Sequence, residues 1–114
     1  MIGLNPSNVF LALGATDMRK AINGLSLLAH HCSMGDPLSG AFFAFCNRHQ
    51  TIVKVLYWDH NGFCLWQKKL DKDRFKWPKT KAEVMEINTT QLTWLLAGLD
   101  IHQAHQKLQF TRVN

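Results

Sequence analysis

The chain has 114 residues, 46% hydrophobic and 18% charged, with a formal net charge of +5 and an isoelectric point near 9.4. That is the size of one ordinary domain with enough apolar residues for a single core, which excludes a disordered chain and leaves little room for a separate catalytic domain. No run approaches the ~18 apolar residues of a membrane helix, the start Met1-Ile2-Gly3-Leu4-Asn5-Pro6 does not read as a secretory leader, and Cys32, Cys46 and Cys64 are an odd, widely spaced set that fits reduced thiols in a cytoplasm.

Val9 to Leu13 is a short apolar run ending at Gly14 and predicts a first strand. Thr16 and Asp17 read as a helix start, because a hydroxyl can cap free backbone N–H groups and a carboxylate suits the positive end of the helix dipole. Apolar residues at Met18, Ala21/Ile22, Leu25, Leu28/Ala29 and Cys32 form one stripe at helical spacing, with Gly24 in its middle allowing close packing on a sheet. Gly35, Asp36 and Pro37 end that helix. Ala41 to Cys46 reads as a strand, Asn47-Arg48-His49-Gln50 as a turn, and Thr51 to Trp58 as a β-branched and aromatic strand. Asp59-His60-Asn61-Gly62 is a hairpin signal, since Asn and Gly tolerate positive φ. Phe63 to Leu70 returns as a third strand, and after Asp71-Lys72-Asp73 the alternating Arg74-Phe75-Lys76-Trp77 extends the meander until Pro78.

Lys79 to Lys81 is a loop, Ala82 to Ile87 a last short strand, and Asn88-Thr89-Thr90 caps a helix from Gln91 to Ala97 that Gly98 stops. Residues 102–114 read as a frayed tail or a short helix. The expectation is a single α+β domain spanning 1–114 with its core at about 6–101: an antiparallel β-meander of about four to five strands with helices packed on one face.

Few constellations point to a reaction. Cys46-x-x-His49 and His60-x-x-x-Cys64 have zinc-like spacing, but the strand between them holds the two turns roughly 26 Å apart, too far to share one ion. His30-His31-Cys32 sits near a helix end, where imidazoles suit the dipole or solvent. Two-metal DNA cleavage needs three convergent carboxylates, yet Asp17, Asp36, Asp59, Asp71 and Asp73 all have turn or helix-start roles, and Glu83 and Glu86 lack a third partner. No Gly-x-Ser-x-Gly or phosphate-binding loop is present. The reading is therefore a protein that is not an enzyme, with no cofactor and no metal.

The charge distribution is more informative. From Arg48 to Lys81 there are nine basic against three acidic residues, a net of +6, while the rest of the chain is at −1. A solvated face would explain some of this; so concentrated a charge favours a polyanionic partner. Arg48, Lys54, Lys68, Lys69, Lys72, Arg74 and Lys76 are the candidate nucleic-acid contacts, neutralising phosphates and releasing counterions. Tyr57, Trp66 and Trp77 are candidate stacking residues, although a domain this small needs most of its aromatics in the core. Period-2 geometry sends Arg74 and Lys76 to one side and Phe75 and Trp77 to the other.

Several stretches carry a family resemblance in order: Asp17-Met18-Arg19-Lys20 with Ile22 and Gly24-Leu25, Asp36-Pro37-Leu38-Ser39-Gly40, Lys54-Val55-Leu56-Tyr57-Trp58-Asp59, Asn61-Gly62-Phe63-Cys64-Leu65-Trp66, Lys68-Lys69-Leu70, Arg74-Phe75-Lys76-Trp77-Pro78 and Leu95-Leu96-Ala97-Gly98-Leu99-Asp100. Over about residues 6–101 the chain resembles the second-frame accessory protein of insertion-sequence-66 elements, a TnpB-type transposition protein distinct from the RNA-guided nucleases of that label. The resemblance implies a non-catalytic role in transposition, beside a larger transposase that carries the catalytic acids. It departs at the turn Asn47–Gln50, less basic here, and at His60, where an acidic or small residue would be ordinary. The expected partners are DNA, through phosphates, and the transposase of the same element, in the cytoplasm at the nucleoid. The competing expectation is a protein–protein adaptor, in which the Leu92–Leu99 helix and exposed tryptophans dock on the transposase or on a second copy.

Overall fold

The computed structural model describes residues 8–32 and 34–101. Their elements in chain order are β1 (Val9–Ala15), α1 (Ile22–His31), β2 (Phe42–Cys46), β3 (Ile52–Asp59), β4 (Gly62–Lys69), β5 (Val84–Ile87) and α2 (Thr89–Leu96). The expected tail, 102–114, lies outside the described residues.

The strands form one sheet in the order β4-β3-β2-β1-β5. The meander β2-β3-β4 is antiparallel as expected, with Phe43 opposite Leu56 and Val55 opposite Trp66. β5 closes the other edge antiparallel to β1, with Val9 opposite Ile87. β1 and β2, by contrast, pair in parallel, with Val9 opposite Phe42. A parallel pair needs a crossover, and α1 supplies it: ten residues rising ~1.5 Å each carry the chain back toward the end where β1 began. A helix between two strands was the available sign of this pairing.

Central position explains β2. Its run Phe42-Phe43-Ala44-Phe45-Cys46 is buried throughout because both faces of that strand are covered. Phe43, Phe45 and Leu56 pack with Leu25 and Ala29 of α1, while Phe42, Ala44, Val53 and Val55 pack with Leu92, Leu95 and Leu96 of α2. These sets alternate along the strands, so the helices, expected on one face, take one face each. The α+β class stands; the arrangement is three-layered.

Two local expectations change. The helix begins at Ile22, not at Thr16-Asp17. Thr16 is buried, its N–H donating to the Cys46 carbonyl at 2.8 Å. The Lys54 ammonium donates to the Met18 and Lys20 carbonyls at 2.8 and 3.0 Å, so carbonyls that could seed an earlier helical turn are engaged elsewhere. Gly24 faces the Lys20 side chain rather than a strand. Likewise residues 70–83 form no strand. They make a strap under one end of the sheet, anchored where Leu70 and Phe75 donate to the Thr51 and Gln50 carbonyls at 2.8 and 2.7 Å. Its alternation survives without the strand: Phe75 and Trp77 are buried, Arg74 and Lys76 exposed.

The second helix follows its sequence signals. The Asn88 side chain accepts from the Gln91 N–H at 2.8 Å, and the Gln91 side chain accepts from the Asn88 N–H at 2.9 Å, a reciprocal cap. Gly98 follows with φ of +87°, the left-handed exit that glycine allows.

Candidate nucleic-acid interface

The strand directions gather the cations at one end of the strand axis rather than on one face of the sheet, and Asp17, Asp71, Asp73 and Glu83 lie at that end with them. One end collects the ends of β1, β2 and β4 and the starts of β3 and β5. All eleven described Lys and Arg residues lie at or near it: Arg19 and Lys20 after β1, Arg48 in the β2–β3 turn, Lys54 early in β3, Lys68 and Lys69 closing β4, and the other five on the strap. At the opposite end lie Asp36, Asp59 and Glu86, with no described Lys or Arg.

The candidate contacts divide into two groups. Arg48, Lys69, Lys72, Arg74 and Lys76 are exposed at the basic end, and Lys79 and Lys81 extend the row. Lys54 and Lys68 do not belong with them. Lys54 holds the loop before α1, and the Lys68 ammonium donates to the Leu96 carbonyl at 2.8 Å, at the C-terminus of α2. These two point to opposite faces of the sheet, since Val53 pairs with Lys68 and Lys54 with Gln67. The long aliphatic stem lets a lysine serve as a packing strut with a charged tip, which composition does not reveal.

Among the described residues the single ion pair is Asp17–Arg19, 2.7 Å, where the guanidinium and the Arg19 N–H hold the Asp17 carboxyl down at about 2. The strap carries five cations, Lys72, Arg74, Lys76, Lys79 and Lys81, against Asp71, Asp73 and Glu83, so its net charge stays positive.

The candidate stacking residues sit elsewhere. Trp77 is 5% exposed and its indole N–H donates to the Ala12 carbonyl at 2.8 Å. Tyr57 packs on Phe42 with ring centroids 4.8 Å apart, and burial followed by the neighbouring Cys64 pushes its phenol up. Trp66 is partly buried against the same core. None of the three is an open platform. The zinc-like half-sites stand at opposite ends of β3, burial lifts the Cys46 thiol to about 12, so it is protonated at neutral pH, and no cluster of metal-ligating side chains forms among the described residues.

One feature has a weak trace in the sequence. Between Leu11 and Ala15 the β1–β2 register slips: four steps along β1 match two along β2, from Ala44 to Cys46. The bulge turns the Ala12 carbonyl out to the Trp77 indole, and it opens a groove of about 290 Å³ at the carboxyl ends of the two parallel strands. Leu13, Cys46 and Trp77 floor it, and Arg48, Lys79 and Thr80 rim it. Gly14 was the sign, since a glycine at a strand end often marks a bulge.

The molecule is thus a small mixed sheet with its described cations gathered at one end, and no cluster of metal-ligating side chains forms among the described residues. The family model described as IS66 Orf2 like protein matches residues 7–106. The chain belongs to that family, and so to the proteins of insertion-sequence transposition. Among relatives, the Sinorhizobium fredii (strain NBRC 101917 / NGR234) uncharacterized protein y4hO is 35% identical over 105 residues, covering 92% of this chain and 91% of its own. The uncharacterized protein y4jC of the same organism is 28% identical over 99 residues, covering 87% and 85%. No solved structure matches the chain. Among the described residues no helix is long and apolar enough to cross a membrane.

Proposed function

We propose that this protein is a non-catalytic accessory factor of transposition that binds DNA through the basic end of its sheet, acting beside the element's transposase at the nucleoid. The observation that carries the reading is the exposed row Arg48, Lys69, Lys72, Arg74, Lys76, Lys79 and Lys81 along one end. Phosphate contacts of this kind set affinity and its salt dependence without reading sequence. The adaptor alternative has less to work with, because Leu92, Leu95 and Leu96 are spent on the protein's own core and Leu99 alone of that set stays exposed. Fluorescence anisotropy of a labelled duplex titrated with the protein at several salt concentrations tests the proposal. Binding that weakens linearly in log salt is expected. Absence of binding at low salt, or binding indifferent to salt, would overturn it.

A further inference from the structure

We infer that the groove at the β1 bulge seats one unpaired nucleotide, so that the protein distinguishes single-stranded ends or distorted sites from intact duplex. The inference rests on the proposed function and deepens it. At about 290 Å³ the groove is at the small end of the range for ligand sites, roughly 300–1,000 Å³. That suits one sugar-phosphate unit with its base, whereas a duplex is too wide to enter and can only ride along the strap.

The lining matches a nucleotide's chemistry. Arg48 and Lys79 offer cations for a phosphate, and no carboxylate lines the groove. The Thr80 hydroxyl accepts from the Ala82 N–H at 3.1 Å and keeps its own proton to donate. Leu13, Cys46 and the edge of Trp77 give an apolar floor for a sugar or base. Trp77 cannot swing out as a stacking lid, because its indole is bonded to Ala12 and its ring is buried. Recognition is therefore by enclosure. The place is also where ligands gather in open sheets, beyond the carboxyl ends of adjacent parallel strands. The groove meets the basic row at Arg48 and Lys79, so a strand laid along the strap reaches it directly.

Nuclear magnetic resonance on ¹⁵N-labelled full-length protein tests this with a five-residue oligothymidylate and a blunt duplex. With the oligothymidylate, the Trp77 indole N–H and the Gly14 and Ala15 amides shift and saturate together with amides of Lys69 to Lys76. With the duplex, only the strap amides shift. Gly14→Leu adds bulk where a Cβ meets no atom within 4 Å, so the variant folds, checked by its spectrum; Ala15→Leu is a second, exposed choice. Each weakens oligothymidylate binding about tenfold or more, the scale of one lost nucleotide contact, and leaves the duplex shifts intact. Shifts confined to the strap in both titrations, or groove shifts that survive both variants, overturn the groove while leaving the basic end standing. No shift anywhere at low salt overturns both.

Discussion

Neutralising Arg74 should affect DNA binding and leave the fold alone; neutralising Lys54 should do the reverse. The two residues were equal members of one basic segment until the structure separated them. Arg74 is exposed on the strap, whereas the Lys54 ammonium is 2.8 Å from the Met18 carbonyl and 3.0 Å from that of Lys20. For duplex DNA each phosphate contact contributes about −0.9 to the slope of log affinity against log salt, so seven exposed cations limit the slope to roughly −6. Lys72→Gln with Arg74→Gln should flatten it by ~1.8 and weaken binding roughly 60-fold near 100 mM salt. Lys54→Gln should leave the slope unchanged. It should instead cost about 1–3 kcal/mol of stability, the range for charge-assisted hydrogen bonds to partly buried groups, which in a domain of this size lowers Tm by about 4–8 °C per kcal/mol. Anisotropy titrations at four salt concentrations and thermal melts on the same samples give both quantities. If Lys54→Gln flattens the slope as much as Arg74→Gln does, the division of the cations into contacts and struts is wrong.

Three further outcomes follow from individual residues. His60 opens the β3–β4 turn at φ of +56°, a left-handed position that disfavours side chains by about 1 kcal/mol; His60→Gly should raise stability by about 0.5–1 kcal/mol in urea denaturation, and a loss would show that the imidazole makes an unseen contribution. Trp77→Phe keeps the ring but leaves the Ala12 carbonyl without its donor, so a loss of about 1–3 kcal/mol is expected with the m-value unchanged. The Asp17 carboxyl, held at about 2 chiefly by its hydrogen bond from Arg19, should titrate there by NMR and return toward its ordinary 3.8 in Arg19→Gln. Because its folded value is depressed, any contribution to stability is complete above pH ~4 and is lost as pH falls from there toward 2.

The candidate site was half legible. That cations concentrate between Arg48 and Lys81 is a property of the sequence, and the strap keeps most of them outside because Phe75 and Trp77 must go inside. Which lysines were free was not legible. Lys54 and Lys68 look like Lys69 in composition and in strand context, and differ only in which backbone carbonyl a distant segment places within reach. The groove depends on a register slip between two strands separated by a helix, and a lone Gly14 is too common a sign to reveal it.

Local physics set the elements. Strand-forming side chains from Phe42 to Asp59, the turn at Asn47–Gln50, the reciprocal cap of Asn88 and Gln91, and the stop at Gly98 are each decided by residues within a few positions of one another, and so they can be read in order. The parallel pairing of β1 with β2, the placing of one helix on each face, the fate of Lys54 and Lys68, and the gathering of all described cations at one end required partners up to 78 residues apart. Hydrogen bonds and burial between distant segments depend on how the chain closes on itself, and that closure is a property of the assembled core rather than of any stretch of sequence.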